Sequence, residues 1–285
     1  KLPKVFNIQL KNICNLACRM CGPNQSSKLN QFISKSDNLK KYFPLLTADN
    51  SVDPKMLAGS FAETMFVTFA GGEPMVDEDC LEILKMIKQE SKNLKEIVFI
   101  TNFTKLNTDI LDFVTSMNVS VILAVSIDGP PHLQEYIRHY AKWDDIFNNM
   151  KYVRQHYPKI KFGCNSTVSI LNVGHVAETV KFIHKLEEEL HTRFQYCNPS
   201  LVTDRSFLWP GNLPQSVKQI YKERIDSFKG RLTIPNARHL LESARGLLDE
   251  PPRESFETFV NFISEFDRVA GTDYKLIYPE FGADG

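Results

Sequence analysis

Apolar residues recur along the 285-residue chain in two alternating rhythms. Short runs dense in branched and aromatic side chains, VFNIQL (5–10), MFVTFA (65–70), EIVFIT (96–101), VSVILAVSI (119–127), KIKFGCNSTVSI (159–170) and RFQYC (193–197), predict six strands. Between them, DEDCLEILKMIKQES (77–91), NTDILDFVTSM (107–117), WDDIFNNMKYVRQHY (143–157) and HVAETVKFIHKLEEEL (175–190) space their apolar residues three and four apart, the pattern of helices that bury one face. Asp79, Asn107 and Thr108 are suited to helix starts. Strands and helices in alternation predict a parallel sheet of right-handed βαβ units, either an open doubly wound sheet or a partial barrel. In both, the functional site lies at the carboxyl ends of the strands.

Two stretches break the rhythm. Residues 24–62 are long and polar, with a helix-like SSKLNQFISK followed by an insertion. After Cys197 a loop, NPSLVTDRSFLWPGNLP, leads to QSVKQIYKERIDSFK, ARHLLESARGLLDE and RESFETFVNFISEFDRVA, which read as terminal helices packing on the sheet. The expected organisation is a core over residues 1–200 and a loop-and-helix extension over 201–285.

Length and a hydrophobic content of 42% suffice for a full core. Lys+Arg and Asp+Glu both total 34, so electrostatics gives no reason to expect nucleic acid or a membrane surface as the main partner. No apolar run reaches the length of a membrane span, and KLPKVFNIQLKN lacks the order of a signal peptide, so a cytoplasmic setting is expected. The chain opens on Lys1 and enters a strand-like run at once, as a fragment of a longer protein would.

Three of the six cysteines crowd into NICNLACRMCGP as Cys14, Cys18 and Cys21, with the spacing C-x3-C-x2-C. Three thiolates can hold three irons of a cubane and leave the fourth open. They could equally contribute to a zinc site, which would normally want a fourth ligand, or be buried thiols. Further along, the second strand ends in FAGGEP: Gly71 and Gly72 permit close backbone approach, and Glu73, followed by Pro74, supplies an acceptor for an ammonium group, although GGEP alone is also a plausible surface turn. The third strand ends at Thr101 and Asn102 and the fourth at Ser126 and Asp128, polar side chains suited either to ligand hydroxyls or to turns.

CNLACRMC after the first strand resembles the cluster motif of the radical SAM superfamily, and GGEP, TN and SIDGP resemble its later motifs. The resemblance implies a partial (β/α)6 TIM-type barrel with a [4Fe–4S] cluster on Cys14, Cys18 and Cys21. It implies that S-adenosylmethionine (SAM) chelates the open iron and is cleaved by one electron into methionine and a 5′-deoxyadenosyl radical. By the same resemblance Gly71, Gly72, Glu73 and Pro74 contact the methionine amino group, and Thr101, Asn102, Ser126 and Asp128 serve SAM at the next strand ends. Arg138 meets its carboxylate, a task suited to a planar bidentate donor. Met20 and Val168 lie near adenine, though a loop gap-filler and a core valine are the plain alternatives. A one-electron donor such as a flavodoxin or ferredoxin is implied, and a peptide or small-molecule substrate. The rival is a non-enzymatic iron–sulfur or zinc module for binding or sensing, which has no need of a SAM site.

More narrowly, CRMCGPNQSSK, LPQSVKQI and FDRVAGTDYKLIYPEF resemble radical SAM proteins with an amino-terminal Twitch segment. That segment would carry cysteines for a further cluster, and none precedes Cys14. Cys80, Cys164 and Cys197 lack cluster spacing and read as packing, although Cys164 and Cys197, on neighbouring strands, could face the barrel interior. The loop bearing Arg205 and Trp209 reads either as a cavity wall or as a loop anchor.

Overall fold

The computed structural model describes residues 2–43, 53–230 and 232–282, and part of the expected insertion, 44–52, lies outside them. In chain order the strands are β1 (Val5–Gln9), β2 (Ala17–Cys18), β3 (Phe66–Ala70), β4 (Glu96–Thr101), β5 (Ser120–Ser126), β6 (Arg138–His139), β7 (Lys161–Val168) and β8 (Phe194–Leu201). The helices are α1 (Ser27–Ile33), α2 (Asp37–Lys40), α3 (Asp79–Glu90), α4 (Thr108–Thr115), α5 (Pro131–Ile137), α6 (Trp143–His156), α7 (Val176–Glu189), α8 (Gln215–Asp226), α9 (Ala237–Leu247), α10 (Phe256–Ala270) and α11 (Tyr274–Ile277).

Six strands form one sheet in the order β1-β3-β4-β5-β7-β8, and each pairs in parallel with the next. The order never reverses, as it would at the switch point of a doubly wound sheet. With β1 and β8 as the two ends of the sheet, the architecture is a partial (β/α)6 barrel with added C-terminal helices. Helix starts follow local chemistry: Asn107 caps α4 by accepting from Asp109 N and Ile110 N, and Ser255 caps α10 by accepting from Thr258 N. Helix α3 buries Cys80, Ile83, Leu84 and Ile87, one stripe at helical spacing.

The two faces of the sheet differ. Val67, Phe69, Ile97, Phe99, Leu123, Val125, Cys164 and Cys197 join the helix residues in one apolar core. Alternation sends their neighbours to the other, concave face. There register sets Thr68 beside Val98 and Val98 beside Ile122, and higher up it forms the rows Ser126-Asn165-Asn198 and Thr167-Ser200. Ile122 and Ala124 are buried yet lie outside the helix-side core, as this division requires. Cys164 and Cys197 are register partners with no exposed surface, and they face the helices rather than the barrel interior, because they share the parity of Leu123 and Val125. Cys80 is equally buried. Among the described residues no helix is long and apolar enough to cross a membrane.

Candidate active site

The loop after β1 carries the three clustered cysteines and is held at several points. Ser26, the cap of α1, donates to Leu16 O at 2.5 Å and accepts from Leu29 N, while Ser27 Oγ accepts from Cys14 N at 3.3 Å. The sequence gives no periodic signal for β2 and β6, two residues each, yet they pair antiparallel and set Cys18 opposite Arg138. Arg19 N extends the ribbon by donating to Ile137 O at 2.9 Å.

Arg19, unremarked in the sequence, is fully buried. Its guanidinium donates to Tyr136 O, to Asp267 Oδ1 at 2.5 Å and to Thr272 Oγ1 at 2.7 Å. The ring centroids of Tyr136 and Phe266 lie 3.8 and 4.4 Å from its central carbon, both within cation–π range. Tyr136 OH donates to the other oxygen of Asp267. The cysteine loop is thereby tied to α10 at the far end of the chain.

The GGEP turn lies directly against this loop. Gly72 N donates to Lys11 O and Glu73 N to Ile13 O, at 3.1 and 2.8 Å. A Cβ on Gly72 would lie 2.2 Å from Ile13 O, and one on Gly71, whose φ is +106°, would lie 2.7 Å from Leu10 O. Both glycines are required by the close approach of two backbones. Glu73 follows with no exposed surface, and its carboxylate accepts from Thr101 Oγ1 (2.6 Å), Asn102 N (2.7 Å) and Met75 N (3.1 Å). Burial pushes its carboxyl up to about 7 against the pull of those donors.

That shift has a testable sign. An acid whose folded pKa exceeds its ordinary 4.5 binds extra proton in the folded state, so stability falls as pH rises from about 4.5 to about 7. The fall from this group is on the order of 3 kcal/mol. Urea midpoints of the cluster-free protein at about pH 5 and about pH 7.5 should therefore differ more in the wild type than in Glu73→Gln. Equal differences would refute the assignment.

The remaining strand-end residues are bonded largely to one another. Asn102 Nδ2 lies 3.8 Å from Cys14 Sγ and 3.1 Å from Asn15 Oδ1, and Thr104 N donates to Asn102 Oδ1. Asp128, fully buried, accepts from Arg138 Nε at 2.8 Å and from Thr167 N at 2.7 Å. Ser126 is buried, with its carbonyl accepting from Gln134 Nε2. Met20 and Val168 are both core residues, and Val168 shares the face of Cys164 rather than the concave face. Pro74 is buried between Glu73 and Met75. The structure thus gathers the cysteines, Gly71, Gly72, Glu73, Thr101, Asn102, Asp128 and Arg138 into one bonded layer.

Electrostatics within the loop is uneven. A hydrogen bond from Cys18 brings the Cys21 thiol down to about 7, against the cost of burial and with help from the Arg138 and Arg205 charges. The same bond, followed by burial, pushes Cys18 up, and burial raises Cys14 to about 11. Among the described residues no three His, Cys, Asp or Glu side chains are gathered as ligands of a single metal ion. In a cubane each thiolate takes a different iron, so its ligands need not converge on one point. Three soft donors on one loop, with two cations nearby, fit a cluster of that kind.

The family model for the Radical SAM superfamily matches residues 8–183, a span that runs from β1 into α7. The chain belongs to the radical SAM superfamily. Its fold is similar to that of native anSMEcpe with bound AdoMet, at a TM-score of 0.52 and 16% identity over 79% of this chain and 59% of that one. It is also similar to native anSMEcpe with bound AdoMet and Kp18Cys peptide, at 0.50 and 16% over 78% and 59%. This radical SAM chain therefore spans about three-fifths of the length of those structures. No curated protein sequence matches it.

Proposed function

We propose that the protein is a radical SAM enzyme whose cluster loop is Cys14, Cys18 and Cys21. The observation that carries the reading is the bonded layer in which this loop meets Glu73, Asn102 and the Asp128–Arg138 pair at the carboxyl ends of a parallel sheet. A [4Fe–4S] cluster held by the three thiolates would supply the electron that cleaves SAM to methionine and a 5′-deoxyadenosyl radical, which then takes a hydrogen atom from the substrate.

The chain's own residues prepare that chemistry. Glu73 spends three acceptor positions on Thr101, Asn102 and Met75, which fixes the carboxylate and leaves capacity for one ammonium donor. Arg138 binds Asp128 through Nε, which leaves the terminal edge of its guanidinium to meet a carboxylate. Asn102 braces Cys14, and Gly71 and Gly72 let the two loops touch. The upper concave face offers Ser126, Asn165, Thr167, Asn198 and Ser200 without a formal charge, and supports an uncharged polar portion of a peptide or small metabolite as the part held there. The motifs shared with Twitch-bearing proteins support a relation to that subgroup, with a flavodoxin or ferredoxin as electron donor.

Anaerobic reconstitution with iron and sulfide, followed by dithionite and SAM, is expected to yield 5′-deoxyadenosine. A cluster-loaded protein that makes none would refute the enzyme reading.

A further inference from the structure

Three arginines surround the cysteine loop, and two of them are neutralised by buried carboxylates. Arg19 has Asp267 and Arg138 has Asp128, in pairs whose side chains are all less than a tenth exposed. Arg205, on the loop after β8, differs. Its side chain is 9% exposed, and its ion-pair partner among the described residues is its sequence neighbour Asp204, 56% exposed, at 3.0 Å. A carboxylate standing in water is a screened counter-charge. Arg205 Nε is buried without a hydrogen-bond partner among the described residues.

The place of this cation is defined by glycine. A Cβ on Gly22 would fall 2.6 Å from Arg205 Nη1, so the guanidinium rests against the residue that follows Cys21. Burial lowers its pKa while the nearby Asp204 and Cys21 charges raise it. An isolated buried charge is costly, and folds keep one where an opposite charge belongs.

We propose that Arg205 is the counter-charge of the iron–sulfur site, an electrostatic positioning residue aimed at Cys21. The inference rests on the cluster reading above. Three thiolates around a cubane leave the unit negative, and the electron taken up on reduction makes it more so. A buried cation beside one ligand favours the reduced form and raises the potential.

The test uses the full chain, reconstituted anaerobically with iron and sulfide, with redox titrations followed by electron paramagnetic resonance. Arg205→Gln is expected to shift the midpoint to more negative potential, and Arg205→Lys, which keeps the charge, to stay near the wild type. Loss of cluster in the glutamine variant with retention in the lysine variant would support the same role. An unchanged midpoint in Arg205→Gln overturns the proposal, as does a lysine variant displaced as far as the glutamine variant or emptied like it, since packing rather than charge would then be responsible. Wild-type protein that takes up no iron and sulfide refutes the cluster reading itself and the inference with it.

Discussion

Replacement of Arg19 by methionine is expected to destabilise the protein by about 3–5 kcal/mol, the range for removing one partner of a buried ion pair. The carboxylate of Asp267 would stay behind in the core with only the hydroxyls of Tyr136 and Thr272 as donors. The Tyr136 carbonyl would lose its guanidinium partner, and the stack with Phe266 would lose its charge. Domains of this kind have a total stability of about 5–15 kcal/mol, so the variant should unfold at a much lower urea midpoint. Arg19→Met combined with Asp267→Leu should recover part of the loss, because no isolated charge remains. A single variant within 1 kcal/mol of the wild type, roughly the level of a surface ion pair, would show that the clasp contributes little.

Cys18→Ala should abolish the visible iron–sulfur absorbance after reconstitution, while Cys80→Ala should leave it intact. Both residues are buried, and both substitutions remove only a sulfur from a packed site, so their structural costs are comparable. The chemical consequences differ. Cys18 is the β2 residue opposite Arg138 in the β2–β6 ribbon, with its thiol hydrogen-bonded to Cys21, whereas Cys80 points from α3 into the apolar core. With two thiolates left, a second iron has no protein ligand and the cluster is not retained. A persistent band in Cys18→Ala would remove that residue from the ligand set.

Much of this layout is legible in the order of residues. Six strands and the helices α3, α4, α6 and α7 follow from local periodicity, the cysteine spacing and GGEP stand out as motifs, and the short helix α5 carries no periodic signal. Pairings between distant residues were hidden. Asp128 and Arg138 each read as a ligand group, and nothing in the order of residues says that they bond one another. The β2–β6 ribbon is too short to carry a period. Arg19 looked like an ordinary charged residue between two cysteines, but its partner left a trace: Asp267 falls on the apolar stripe of α10 with Phe259, Phe262, Ile263 and Phe266, where an acid is out of place unless paired. Cys164 and Cys197 could be set on neighbouring strands, but the face they occupy depends on register, which a shift of one residue reverses.

The Arg19–Asp267 contact joins residues 248 positions apart. At a synthesis rate of roughly 5–20 residues per second, the second partner follows the first by about 12–50 s. For that interval the nascent cysteine loop exists without its clasp. Completion of this end of the barrel thus waits on the synthesis of α10. A truncation ahead of α10 leaves the cysteine loop without this anchor.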